Sequence, residues 1–281
     1  MEFAKNWVFK KEGITYALLI ILLVLFMFPV YWIVVTSLQN NSELMQLPPK
    51  WLPAQLFWGS YQEIIKSSVF LTFYKNTLIV ATGATLMCII VSIFAGYALS
   101  RFRFKGSGLI TLIFLSAQMF PTVTLVIGLY TEYQALGILN TLFVLMLAAT
   151  TTALPFSIML MRTFFNGISR ELEEAAEIDG ASRFKTLFTI IVPLSKPGIV
   201  AIAIYTFLIA WDDFLFGLTL VSDINKRTLS PGLSLTYLGE HSYNWSGATA
   251  AAAAATFPLL IVFMFLQRYM VEGLTAGGVK E

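Results

Sequence analysis

The charged positions of this chain are bunched, and the long intervals between them organise everything else. Stretches without Asp, Glu, Lys or Arg run over 13–42, 76–100, 106–131, 133–161 and 241–267, giving 30, 25, 26, 29 and 27 residues. A helix needs about 20 mostly apolar residues to cross the hydrocarbon core of a bilayer, so each run predicts a membrane-spanning helix. Strands of a membrane barrel need only about 9–11 residues but in strict alternation, and these runs do not alternate. A sixth interval, 197–222, is equally apolar except for Asp212 and Asp213. The pattern predicts an all-α, polytopic membrane protein with six transmembrane helices.

Composition agrees. Of 281 residues, 57% are hydrophobic and 12% charged, against about 25% charged in a soluble domain. A net charge of +2 is too small to suggest a nucleic-acid partner. With Cys88 and His241 the single residues of their kinds, an internal disulfide, a CxxC redox pair and a cysteine or histidine metal cluster are excluded. The first apolar run far exceeds a signal peptide's apolar core and lacks a small-residue cleavage site after it, so it stays as an anchor.

Lys and Arg set the orientation. With the N-terminus inside, thirteen fall on the cytoplasmic side (5, 10, 11, 101, 103, 105, 162, 170, 183, 185, 196, 268, 280) and five outside (50, 66, 75, 226, 227). Both termini are therefore expected in the cytoplasm. Residues 1–12 form a basic leader carrying Phe3, Trp7 and Phe9, either an interfacial helix or a tether. Residues 13–270 make the transmembrane domain and 271–281 a cytoplasmic tail. Trp51 and Trp58, in the outer loop 39–72, suit an interfacial belt.

No GxxxxGK[ST] string exists, so the chain has no P-loop to cradle ATP phosphates. His241 reads as an ordinary loop histidine beside Tyr243 and Trp245, and Cys88 as a small apolar filler within a span. Nothing here makes an enzyme site.

The inner loop 163–196 differs from the rest. Ser169 can cap a helix whose first turn carries Glu171, with Glu173 and Glu174 close behind, carboxylates favourable at the positive end of a helix. Leu172, Ala175 and Ala176 give it a small apolar face, and Gly180 sits where such a helix would stop in the left-handed conformation. A second piece follows, with Phe184, Leu187 and Phe188 together and Arg183 and Lys185 opposite, and Pro193 and Pro197 frame the next span. Two short helices meeting at a glycine turn, small-faced and acidic, suit a protein socket better than lipid headgroups.

The string EAAEIDGA (174–181), with Ile190 and Pro193 following, resembles the EAA loop of ABC-importer permease subunits. Asn76, YALSRFRFKG (97–106), WDDF (211–214) and QRYMVEGLTAGGVKE (267–281) extend the resemblance to the carbohydrate branch, specifically the smaller, maltose-type second permease subunit. The resemblance implies a non-catalytic membrane subunit that forms half of a translocation pathway. It also implies a homologous second permease subunit, two cytoplasmic ATPase subunits that bind the ATP and Mg, and an extracytoplasmic substrate-binding protein. The chain itself would carry no cofactor. Its coupling positions would be Glu174, Ala175, Ala176, Asp179, Gly180 and Ala181. An ion-driven secondary transporter or channel is the alternative, disfavoured by the docking loop and the lack of an inverted repeat.

Asp212 and Asp213 are costly within a span, about 2.5–3.5 kcal/mol for a carboxylate at its centre. With Trp211 and Phe214 they form either an aromatic-plus-acceptor surface for sugars, facing a substrate pathway, or a helix break closed by hydrogen bonds.

Overall fold

The computed structural model describes residues 2–238 and 243–276, and every regular element among them is helical. In chain order these are α1 (Glu2–Ser37), α2 (Asn41–Leu44), α3 (Gly59–Lys66), α4 (Ser68–Arg101), α5 (Ser107–Ala117), α6 (Thr122–Ala135) and α7 (Leu142–Asn166). Then follow α8 (Glu171–Ile178), α9 (Arg183–Thr186), a π-helical stretch Leu187–Ile191, α10 (Val192–Leu194), α11 (Lys196–Asp212), α12 (Leu215–Leu220), α13 (Leu229–Tyr237) and α14 (Trp245–Ala276). His241 lies outside the described residues, as does the end of the tail.

Among the described residues, three helices are long and apolar enough to cross a membrane singly: Thr15–Ser37 within α1, α4 and α7. Two bent pairs also qualify: α5 with α6, at 107°, and Arg183–Leu194 with α11, at 77°. In α14 the apolar stretch is the shorter Trp245–Ile261. The N-terminal leader is no separate element, since α1 is continuous from Glu2.

Two of the charge-free runs are not the straight spans the sequence predicts. The run 106–131 breaks at Gln118–Pro121, because Pro121 takes an extended ψ of 132° and disfavours helix at the residue before it. The run 133–161 holds a turn, with Gly137 at φ +69° and Asn140 at φ +58°. Helix resumes only at Leu142, where the Thr141 hydroxyl accepts from the Val144 N–H at 3.1 Å. Absence of charge reports an apolar setting; glycine, proline and cap residues decide where helix stops within it.

The described residues form two compact units, Met1–Ser67 with Leu233–Phe257 and Ser68–Gly232 with Pro258–Glu281. In the first, Ser246 Oγ donates to the Gln39 carbonyl at 2.6 Å and shares a 2.8 Å bond with Ser60 Oγ. Ser37 Oγ bonds Tyr61 Oη at 2.8 Å. Trp51 packs against Phe28 and Trp32 and remains largely exposed, as does Trp58. Apolar side chains of α1 from Leu18 to Val30 are exposed as well, as suits a helix in lipid.

The second unit is built on α4, α7 and α11. Val80, Val144, Ala148, Phe216 and Leu220 share one buried cluster; Ile93, Tyr97, Met161, Phe165, Ile191 and Ile202 share another. Early residues of α4 and α7 thus meet at one end and late residues at the other, so the two helices run in the same direction. The chain of α11 and α12 runs against them. Gly96 permits the close approach of α4 to α7: a Cβ there would lie 2.8 Å from Met161 Cβ and 3.1 Å from the Arg162 nitrogen. Small residues at helix contacts matter in lipid, where dispersion replaces the hydrophobic drive.

Two asparagines of this unit bond to backbone groups of one loop. Asn76 Nδ2 donates to the carbonyls of Asn225 and Arg227, both at 2.9 Å. Asn140 Oδ1 accepts from the backbone N–H groups of Ser222 and Asp223 at 2.7 and 3.1 Å, and from Ser222 Oγ at 2.9 Å. Unsatisfied backbone is expensive away from water, and these two asparagines secure the loop between α12 and α13.

Candidate functional site

The acidic loop is a helix, a turn and a helix. Glu171, Glu173 and Glu174 occupy the first turn of α8, and Ser169 Oγ accepts from the Glu171 N–H at 3.2 Å. The helix ends in a full Schellman motif: Ala181 N–H bonds the Ala176 carbonyl at 2.9 Å and Gly180 N–H the Glu177 carbonyl at 3.0 Å. Gly180 sits at φ +77°, a conformation that side chains with a Cβ resist. Ser182 then caps α9, its Oγ accepting from the Lys185 N–H at 3.3 Å.

One residue that the sequence reading passed over fastens α8 to the bundle. Glu173 Oε2 accepts from Tyr97 Oη at 2.8 Å, and Glu173 Oε1 pairs with Arg101 Nε. Arg101 also donates to the Ile168 carbonyl at 3.0 Å, and the Arg170 guanidinium to the Ser100 carbonyl at 3.1 Å. Tyr97 and Arg101 stand four residues apart on α4, on one helical face. That spacing within YALSR was the available signal, but it names no partner some 70 residues away.

The coupling positions divide by exposure. Ala176 is buried and Ala181 half-buried, while Glu174, Ala175, Asp179 and Gly180 face outward. Ile178 is 87% exposed at the tip, a second residue the sequence reading did not single out. Phe184 stacks on Phe94 and packs on Phe188 with both outer rings exposed. The result is an outward surface of one branched apolar side chain, small residues and carboxylates on a rigid support.

At Asp212–Asp213 the span is interrupted. Helix α11 ends at Asp212, and both oxygens of Asp213 accept backbone N–H groups at the start of α12, from Phe216 at 3.2 Å and Gly217 at 2.8 Å. Asp213 is therefore a cap inside an apolar segment, with α12 continuing beyond it. Asp212 is exposed and lines a cavity of about 1290 Å³, with Asp213 and Phe214 also on its wall. Trp211 is buried instead, stacked on Phe207 and edge-on to Tyr74, and is absent from that wall. The cavity's other polar lining comes from Ser116, Gln118, Thr122, Thr151 and Thr152, and its aromatic lining includes Tyr205 and Phe120. Residues on both sides of the break at 118–121, Ala117 and Gln118 before it and Thr122 after it, lie on the cavity wall. Among the described residues no group of three or more His, Cys, Asp or Glu is placed to hold a metal ion.

Known proteins share both sequence and architecture with this chain. Residues 88–275 match the family model described as "Binding-protein-dependent transport system inner membrane component". The "Sulfoquinovosyl glycerol transport system permease protein SmoH" of Agrobacterium fabrum is 37% identical over 260 residues, spanning 92% of this chain and 91% of its own. The "Trehalose/maltose transport system permease protein MalG" of Thermococcus litoralis is 35% identical, over 93% and 94%. A chain from the crystal structure of a bacterial ABC transporter that imports the acidic polysaccharide alginate superposes with a TM-score of 0.80 at 24% identity, over 92% of this chain and 95% of its own, and so shares the fold. Sequence match and helical architecture agree: this chain belongs to the family of inner-membrane components of binding-protein-dependent transport systems.

Proposed function

We propose that the chain is a permease subunit of an ATP-driven carbohydrate importer. It crosses the bacterial inner membrane six times within residues 13–270, with the segments 1–12 and 271–281 in the cytoplasm. It pairs with a homologous permease subunit, two ATPase subunits that bind ATP and Mg, and an extracytoplasmic substrate-binding protein, and it hydrolyses nothing itself. The observation that carries the reading is that one helix, α7, runs from the loop to the cavity. The late turns of α4 and α7 abut the loop anchored by Glu173, while α7 residues 149–155 line the 1290 Å³ cavity. Movement imposed on α8 is thereby delivered to the cavity wall.

Glu174, Ala175, Ala176, Asp179, Gly180 and Ala181 are the coupling positions, with Ile178 added to their outward face. Asp212 and Phe214 serve the substrate pathway directly, an acceptor and an apolar ring suited to hydroxyl groups and sugar faces. Asp213 and Trp211 support them, the first by capping α12 and the second by packing behind α11. A carbohydrate substrate rests on the names of the relatives and on the cavity's mixture of carboxylate, amide, hydroxyl and aromatic groups.

The test is uptake in proteoliposomes containing the full complex. Uptake should require ATP inside and the binding protein outside, and should persist when ion gradients are collapsed. Uptake by this chain alone, driven by an ion gradient, would establish the secondary-transporter alternative.

A further inference from the structure

We propose that the cleft between the end of α4, the start of α5 and the end of α7 binds the phosphate headgroup of an anionic membrane phospholipid. The cleft has a volume of about 480 Å³. Arg103, Lys105, Arg162 and Arg170 all line it, and no carboxylate does. Ser100 and Asn166 add neutral polar groups. Arg103 and Arg170 also border a neighbouring cleft lined by Glu173, Glu174 and Glu177, whereas Lys105 and Arg162 line this one alone, with no acidic side chain on its wall.

Arg101, one turn away, makes the contrast. Its charge is met by Glu173. In Arg162, by comparison, one terminal nitrogen donates to Thr111 Oγ1 at 2.8 Å, while Nε is buried with no hydrogen-bond partner. An unpaired donor of a cation is expensive to bury, and a phosphate oxygen would satisfy it. Guanidinium groups match phosphate oxygens with planar, paired donors.

The topological bias of Lys and Arg explains cations on this side of the membrane. It does not explain their convergence on one cleft or the unpaired Nε. The setting selects a lipid over a soluble phosphate ester. Phe102 and Phe104 line the same cleft, and Leu109, two residues along α5 from Ser107 on its wall, is exposed, so apolar side chains border the cations where acyl chains can lie. Basic pockets between helices at this level are suited to anionic headgroups. The inference requires the chain to lie in a bilayer and is independent of what it carries.

Native mass spectrometry of the full chain, released from nanodiscs of equal phosphatidylglycerol and phosphatidylcholine, tests it. The wild type should retain phosphatidylglycerol over phosphatidylcholine by about tenfold. The double variant Arg103→Gln/Lys105→Gln changes two exposed side chains and should abolish that preference while the chain remains folded by circular dichroism. Arg162→Lys keeps the charge but removes the planar fork, and should weaken retention several-fold. Equal retention of the two lipids by the wild type, or an undiminished preference in the double variant, would overturn the proposal. Displacement of the lipid by millimolar inorganic phosphate would overturn the lipid assignment and leave a soluble anion as the ligand.

Discussion

Two pairs of adjacent carboxylates, Glu173–Glu174 and Asp212–Asp213, look alike in the sequence and behave alike in one respect. In each, one member is engaged and its neighbour is left available. Glu173 binds Tyr97 and Arg101; Asp213 caps α12. Glu174 and Asp212 are exposed and accept no hydrogen bond from the described residues. Successive side chains on a helix point about 100° apart, which separates Glu173 from Glu174, while Asp213 is turned from Asp212 by the extended backbone that ends α11. The pairs differ in what the engaged member holds. Glu173 joins two distant segments through a cation and a phenol, whereas Asp213 holds only the next turn of its own chain. Loss of the first should release a helix from the bundle, and loss of the second should fray one helix start.

That difference sets the scale of the expected effects. Glu173→Ala leaves Arg101, whose side chain is 8% exposed, without its counter-charge, and should cost about 2–3 kcal/mol. The readout is the thermal midpoint in detergent together with protease cleavage between residues 167 and 186. Glu174→Ala should stay within about 0.5 kcal/mol by the same measures yet lower ATP-coupled uptake. Matching losses of stability in the two variants would erase the distinction.

Gly180→Leu comes next, at about 1–2 kcal/mol for a left-handed backbone. A Cβ at Gly180 would meet nothing within 4 Å, so the cost is conformational and not steric. Gly180→Asn, whose side chain tolerates that conformation, should therefore recover most of the stability and of the ATPase-subunit retention in pull-downs. Equal defects in the two variants would mean that side-chain bulk at the docking surface matters more than the turn.

Asp213→Ala should cost about 1 kcal/mol, the usual loss for a helix cap, and accelerate amide exchange at Phe216 and Gly217. Asp212→Asn should leave both amides unchanged and instead raise the KM for substrate uptake. An altered KM in neither Asp212→Asn nor Phe214→Ala would remove the cavity from the pathway.

The smallest effect concerns Glu43, a carboxylate outside the long apolar helices. Glu43 accepts from Lys50 Nζ at 3.0 Å and from the Ala54 N–H at 3.1 Å. The bond from Lys50, aided by that from Ala54, holds its carboxyl below the usual glutamate range. A carboxyl lowered on folding contributes stability above its unfolded pKa, and that contribution is lost as the pH falls through the lowered folded value. Protection of the Ala54 amide should therefore fail only below the ordinary glutamate range, and Lys50→Met should move that failure to higher pH. An unchanged onset in the variant would show that Lys50 does not stabilise this contact.

Much of the molecule was legible because its signals are local. Apolar runs report the solvent of a segment without reference to any partner, so the all-helical, membrane-embedded character was readable from charge spacing. The α8 turn was readable for the same reason: a helix, its acidic first turn and the glycine that ends it span only ten residues, and the Schellman bonds close within five. The break at Asp212–Asp213 was readable as one of two alternatives. The interruptions at Pro121 and at Gly137–Asn140 carried local signals too, and the absence of charge across them outweighed residues that stop helices.

Other features depended on residues brought together from far apart. Nothing near Glu173 distinguishes it from Glu174; Arg101 does, 72 residues away. Trp211 reads as a natural sugar platform beside two acids, yet Tyr74 and Phe207 bury it. Four cations scattered over 68 positions acquire a shared purpose only where three helix ends meet. The sequence by itself determined which segments avoid water and where several helices end, since those depend on transfer free energy and backbone geometry within a few residues. Tertiary structure alone decided which carboxylate is tied, which aromatic is hidden and which cations converge, because a side chain's surroundings are set by whatever the fold places opposite it.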